Sequence, residues 1–141
     1  MNTILVREKL LELDQLFKDS FHWLAGQYDN ETGGFYFARS SIGKPEFKPN
    51  IETTASALGI LDRCGLLSTM PEKVRVKLMH FFQSRQDPET GYFYDPHNEM
   101  RFIERLVARA LNYSILSLRR LSAAPLYPVP GSLENLSALP D

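Results

Sequence analysis

Gln86-Asp87-Pro88-Glu89-Thr90-Gly91-Tyr92-Phe93-Tyr94 is a near copy of Tyr28-Asp29-Asn30-Glu31-Thr32-Gly33-Gly34-Phe35-Tyr36, which occurs earlier in the same chain. An offset of 58, Asp29 onto Asp87, also superposes Glu31 on Glu89, Thr32 on Thr90, Gly33 on Gly91, Phe35 on Phe93 and Tyr36 on Tyr94. A repeated turn between helical patterns means that one supersecondary unit is used twice, and such units bury their apolar faces against one another. Aspartate opens such a turn by bonding backbone amides a few residues on, and Gly33 or Gly34 supplies the positive φ that the reversal needs.

The segments around the turns follow helical periodicity. From about Thr3 to Tyr28, apolar residues fall at Leu10, Leu13, Phe17, Phe21, Leu24 and Tyr28, one stripe of a single first helix. Asn50 is a good N-cap for a second helix, with Glu52 in its dipole-favoured first turn, small residues Ala55, Ser56, Ala57 and Gly59, and Gly65 as its stop. Thr69, Pro71 and Glu72 have the spacing of a capping box for a third helix along Val74, Leu78, Phe81 and Phe82. A fourth runs from about Asn98 to Ser122, and Pro125, Pro128 and Pro130 stop it. The second helices align at an offset of 53, Ala55, Ala57 and Leu58 onto Ala108, Ala110 and Leu111, so the second loop is about five residues shorter.

The expected fold is therefore all-α: two helical hairpins, residues 3–65 and 69–122, in one domain over residues 1–123. Residues 124–141 form a Pro-rich linker or docking tail.

Composition narrows the function. With 141 residues, 43% hydrophobic and 23% charged, the chain is an ordinary globular one. Lys+Arg 16 against Asp+Glu 17 leaves no excess positive charge for a phosphate backbone, so nucleic acid is not an expected partner. Charge comes too early for a signal-peptide core, and no apolar run is long enough to span a membrane, which points to the cytoplasm. The single cysteine, Cys64, falls in a helix and reads as a small buried hydrophobe. There is no Gly-x-Ser-x-Gly elbow, phosphate loop or dinucleotide fingerprint, and no metal or cofactor is expected.

The turns and their flanking helices resemble the α/α-toroid repeats of terpenoid cyclases and protein prenyltransferase β subunits. The matching positions are Gln27 with Gly33, Gly34 and Phe35, and Gln86 with Gly91 and Phe93, while Ile51 to Leu58 looks like the start of an inner helix. The resemblance covers about residues 10–121 and implies part of a ring, two hairpins of a toroid that has five to seven. Its chemistry does not carry over. The cyclases imply an Asp-x-Asp-Asp acid motif, which is absent; the prenyltransferases imply zinc on Asp, Cys and His, and no histidine is spaced to complete Asp62-Arg63-Cys64.

Several side chains stand out as ligand-facing candidates. Asp29/Glu31 and Asp87/Glu89 could act as acids or calcium ligands, but their duplication argues for turn geometry. Glu52 and Glu104 open the second helix of each repeat, and Glu52 is the first place to look for a carboxylate of raised pKa, against the plainer reading of a charge on the helix dipole. Arg101, Arg105 and Arg109 at i, i+4 and i+8 form a basic stripe that could clamp an anionic sugar or phosphate, or pair with Glu99 and Glu104. Among the turn aromatics, Phe35 and Phe93 plug into the core, while Tyr36 and Tyr94 are the better ligand-facing pair.

The resulting expectation is a packing or binding module without a self-contained active site. Its partner would be another copy or a further domain on the open side of the partial toroid, with a glycan or other small ligand possible. The alternatives are the first part of a larger α/α-barrel enzyme acting on a glycan or an isoprenoid, and a carbohydrate-binding accessory module.

Overall fold

A computed structural model describes residues 3–96 and 99–131. These residues form five α-helices, α1 (Thr3–Phe17), α2 (Ser20–Ala25), α3 (Ile51–Arg63), α4 (Glu72–Gln83) and α5 (Glu104–Arg120), with 3-10 turns at Arg39–Ser41 and Met100–Phe102. No strand or sheet occurs among them, so the chain is all-α.

The two turns have the same build. In each, one isolated bridge joins the ends, Tyr28 to Phe35 and Gln86 to Phe93. Asp29 N–H donates to Gly34 O and Gly33 N–H to Asp29 O; Asp87 N–H donates to Tyr92 O and Gly91 N–H to Asp87 O, all at 2.8 to 2.9 Å. The Asp29 carboxylate accepts from Glu31 N–H and Thr32 N–H, and the Asp87 carboxylate from Glu89 N–H and Thr90 N–H. Gly33 and Gly91 take the positive φ, 79° and 73°. Phe35 and Phe93 are buried, as the plug reading expects.

α3 starts where Asn50 places it: the Asn50 side chain accepts from Thr53 N–H at 2.9 Å. Two hydroxyls near its N-terminus hold the first turn. Thr53 Oγ1 donates to Phe35 O and Thr54 Oγ1 accepts from Phe35 N–H. The core gathers Phe35, Ile51, Leu58, Leu78, Phe81, Phe82, Phe93 and Leu118 between α3, α4, α5 and the turns. Glu52 pairs with Arg109 and Asp62 with Arg120, near the N-terminal and C-terminal ends of both helices respectively, so α3 and α5 run parallel.

Three helix boundaries differ from the sequence expectation. The first helix is broken: α1 ends at Phe17, Lys18 and Asp19 form a turn, and α2 restarts at Ser20. Asp19 and Ser20 belong to the residues that trade helical bonds for local ones, and an apolar stripe can run across such a break. Thr69 does not cap α4. Its hydroxyl donates back to Leu66 O, and Pro71 takes the N-cap position without a side-chain bond. α5 begins at Glu104 and is separated from the Met100–Phe102 turn by the extended Ile103; Asn98 lies outside the described residues.

The tail has local order up to Gly131. Gln86 Nε2 donates to Tyr127 O, and Gln86 Oε1 accepts from Leu126 N–H and Tyr127 N–H. The Pro128 carbonyl lies against Gly91, where a Cβ would overlap it. Residues 132–141 lie outside the described residues.

Candidate functional site

The second repeat packs on the first through four kinds of contact. Phe81 of α4 lies against Gly34, leaving no room there for a Cβ. Lys77 Nζ donates to the Asn30 carbonyl and side chain. Arg85 and Asp95, each side chain 10% exposed, form an ion pair at 3.3 Å; Asp95 accepts from Ile51 N–H at the start of α3, and Arg85 donates to Pro49 O. Finally, Leu106, Arg109, Ala110 and Tyr113 of α5 face Asn50, Ile51 and Glu52 across the α3–α5 seam.

The offsets of 58 and 53 place counterparts of these residues in the first repeat. Phe81 maps to Trp23, and the backbone agrees: Arg85 Nη1 donates to Phe81 O as Gln27 Nε2 donates to Trp23 O. Arg85 and Asp95 map to Gln27 and Phe37, and Leu106, Arg109, Ala110 and Tyr113 map to Thr53, Ser56, Ala57 and Ile60. All seven line one open cleft of about 440 Å³ between α2 and α3. Most of the positions by which one repeat grips the other thus recur around an open cleft on the first repeat; Lys77 is the exception, since its counterpart Asp19 lies outside the cleft lining.

The cleft continues into an apolar groove of about 450 Å³ lined by Phe17, Phe21, Trp23, Ile60 and Cys64. Leu10, Leu13, Phe17 and Phe21, the stripe of α1 and α2, are exposed, and Leu24 is buried. Trp23 is 52% exposed and Phe37 77%. Gln27 is buried, and its Oε1 has no hydrogen-bond partner among the described residues. A buried acceptor left unpaired costs about 1 to 3 kcal/mol.

The structure separates the sequence candidates. Glu52 and Tyr36 line the cleft together. Glu52 is exposed and pairs with Arg109, whose guanidinium also lies 5.8 Å from the Tyr113 ring. The Tyr36 hydroxyl is pushed to higher pKa by burial and then by the Asp29 and Glu31 carboxylates. Tyr94 belongs to the second turn, under the Arg101 guanidinium at 4.3 Å, and Arg101 also pairs with Asp87 at 3.1 Å. The expected basic stripe does not form: Arg101 sits in a 3-10 turn ahead of Ile103, so only Arg105 and Arg109 share α5, and Arg105 is exposed. Asp87 is held below the usual carboxylate range, first by the Thr90 amide; desolvation, next in size, opposes this, and the Glu89 amide, the Arg101 charge and the Thr90 hydroxyl add smaller lowering effects.

Cys64 is also a correction. It is exposed at the C-cap of α3, because the helix ends on the face turned toward the groove.

Among the described residues no group of three or more His, Cys, Asp or Glu could hold a metal ion, and no helix is long and apolar enough to cross a membrane. The sequence reading did not name Ile60, and it took Gln27 only as a position matching the resemblance and Ser56 only as a small helix residue, not as parts of a site. Carrying the repeat offsets onto the helix flanks, as well as the turns, would have found them. No protein-family model, curated protein or solved structure matches the chain.

Proposed function

We propose that the chain is a helical-repeat packing and binding module, two hairpins of an incomplete α/α-toroid without a self-contained active site. It docks a partner through the open flank of its first repeat. One observation carries this reading: Trp23, Gln27, Phe37, Thr53, Ser56, Ala57 and Ile60, counterparts of the residues that bind repeat two to repeat one, line an uncovered cleft. Uncovered apolar clefts of this size mark interaction sites. An exposed free thiol at Cys64 suits a reducing cytoplasm.

The test is site-specific photocrosslinking in the native cell extract, with benzoylphenylalanine replacing Phe21, Ile60 or, as control, Glu89. Protein adducts from positions 21 and 60 and none from 89 are expected. Adducts absent from both flank positions would overturn the reading.

A glycan reading draws on the same cleft, where the Trp23, Tyr36 and Phe37 side chains lie beside Asn50 and Glu52. Binding on a glycan array that is lost in Tyr36→Ala would favour it.

A further inference from the structure

We infer that the occupant of the open flank is a second copy of this chain, related by a two-fold axis that sets α3 antiparallel to its counterpart. The inference rests on the packing-module reading and names its partner.

At the other end of the molecule, the turn face that α4 packs on in the first repeat is taken in the second by the tail. On the first turn, α4 presses Lys77 against Gly33 and Phe81 against Gly34. On the second turn, the tail's Pro128 carbonyl lies against Gly91, and Tyr92 stands where the first turn has Gly34. The backbone leading there repeats as well. Gly65 and Ser122 both take positive φ, 71° and 57°. Leu66 N–H bonds Leu61 O at 2.9 Å, as Ala123 N–H bonds Leu118 O at 2.8 Å. Pro71, the N-cap of α4, thereby corresponds to Pro128. The tail thus follows the path toward the place of a next outer helix and covers it. A copy approaching head to tail would find that place occupied, which removes the open-ended arrangement and leaves flank against flank, a closed two-fold contact.

The flank is self-complementary in that arrangement. Glu52, Ser56, Ile60 and Arg63, at steps of four, four and three, lie on one exposed stripe of α3. Its centre is small, Ser56 beside buried Ala57 and Gly59, and allows close helix approach. Its ends carry opposite charge. Arg63 makes no ion pair among the described residues. Antiparallel pairing brings the partner's Arg63 to the end that holds the exposed Glu52 carboxylate, which accepts from it. A parallel pairing would set Arg63 against the partner's Arg63.

Purified full-length protein in sedimentation equilibrium tests this, with single-cysteine crosslinking in a Cys64→Ser background. With the axis between residues 57 and 58, the two Ser56 Cα atoms lie about 5 Å apart along the helix axes at 1.5 Å rise per residue. Ser56→Cys is therefore expected to give a covalent dimer with a short bis-maleimide, and Ala108→Cys on the far face of α5 none. Ile60→Asp is expected to shift the dimer to monomer with unchanged helicity, and Arg63→Glu to weaken it at least tenfold. The doubly reversed Glu52→Arg/Arg63→Glu chain is expected to recover part of the loss. A purified chain that stays monomeric at high micromolar concentration overturns the two-copy inference. So does a dimer that survives Ile60→Asp, or one that crosslinks only when residues 56 and 108 are both cysteine. If the purified chain is monomeric while photocrosslinks from positions 21 and 60 capture a different protein, this inference fails and the packing-module reading does not.

Discussion

Gly91 and Gly43 share a left-handed backbone, φ 73° and 79°, but only Gly91 is pressed against another segment, the Pro128 carbonyl; Gly43 faces open space. An alanine in that conformation costs about 1 kcal/mol or somewhat more by itself. Gly43→Ala is expected to cost that amount, and Gly91→Ala at least about twice as much because the tail must also move. Chemical denaturation measures both, and equal losses would mean that the tail does not bear on the turn. Asp87 makes a prediction of a different kind. Its folded-state pKa is depressed, first by the Thr90 amide, so ionisation of Asp87 stabilises the native state above the ordinary aspartate pKa of about 4. That contribution fades as the pH falls through the depressed value. Asp87→Asn keeps an acceptor for the turn amides but loses the charge and the pairing with Arg101. The Tm difference between wild type and Asp87→Asn should therefore be present at neutral pH and close on acidification below about pH 4. A gap of constant size across that range would contradict the assignment.

At the scale of elements, the legible features were those written in local chemistry. The Asp-x-x-Thr-Gly turns, the Asn50 cap and the Gly65 stop each depend on bonds within a few residues, and each formed as read. Boundaries that depend on distant partners were not legible. The stripe through Phe17 and Phe21 keeps its period across the break at Lys18–Asp19, so periodicity could not reveal it. The start of α5 is set partly by what precedes it: Met100 buries itself beside Asp95, whose N–H donates to its sulfur, and this holds the 3-10 turn apart from the helix. The tail is a similar case. Its proline content suggested a linker or strap, and only the structure shows that Gln86 holds Leu126 and Tyr127 by three hydrogen bonds. Gln86→Ala is expected to leave helix content intact and to release the amides of Leu126 and Tyr127 to hydrogen exchange, at a cost of about 1 to 3 kcal/mol. If those amides stay protected, the tail is held by its apolar contacts instead.

For the molecule as a whole, the repeat was visible in the sequence, but its consequence for the surface was not. Trp23 and Phe81 occupy equivalent positions and resemble each other chemically, yet one is 52% exposed and the other 1%. Nothing within either segment encodes that difference, because it comes from what lies next to each repeat: α4 has the first turn to pack on, and no described element covers α2 on that side. The comparison yields a prediction that uses the duplication as its own control. Phe81→Ala removes a ring from the core and is expected to cost about 3 to 5 kcal/mol at any protein concentration. Trp23→Ala in dilute solution is expected to cost about 1 kcal/mol or less, as a partly exposed position does. If a partner copy covers the flank, the cost of Trp23→Ala must grow as protein concentration rises, because association adds its free energy to the folded state by mass action. Denaturation midpoints of the wild type and both variants over a hundredfold concentration range decide the matter. A Trp23→Ala loss equal to that of Phe81→Ala in dilute solution would mean that the two repeats are equally enclosed and the flank is not open.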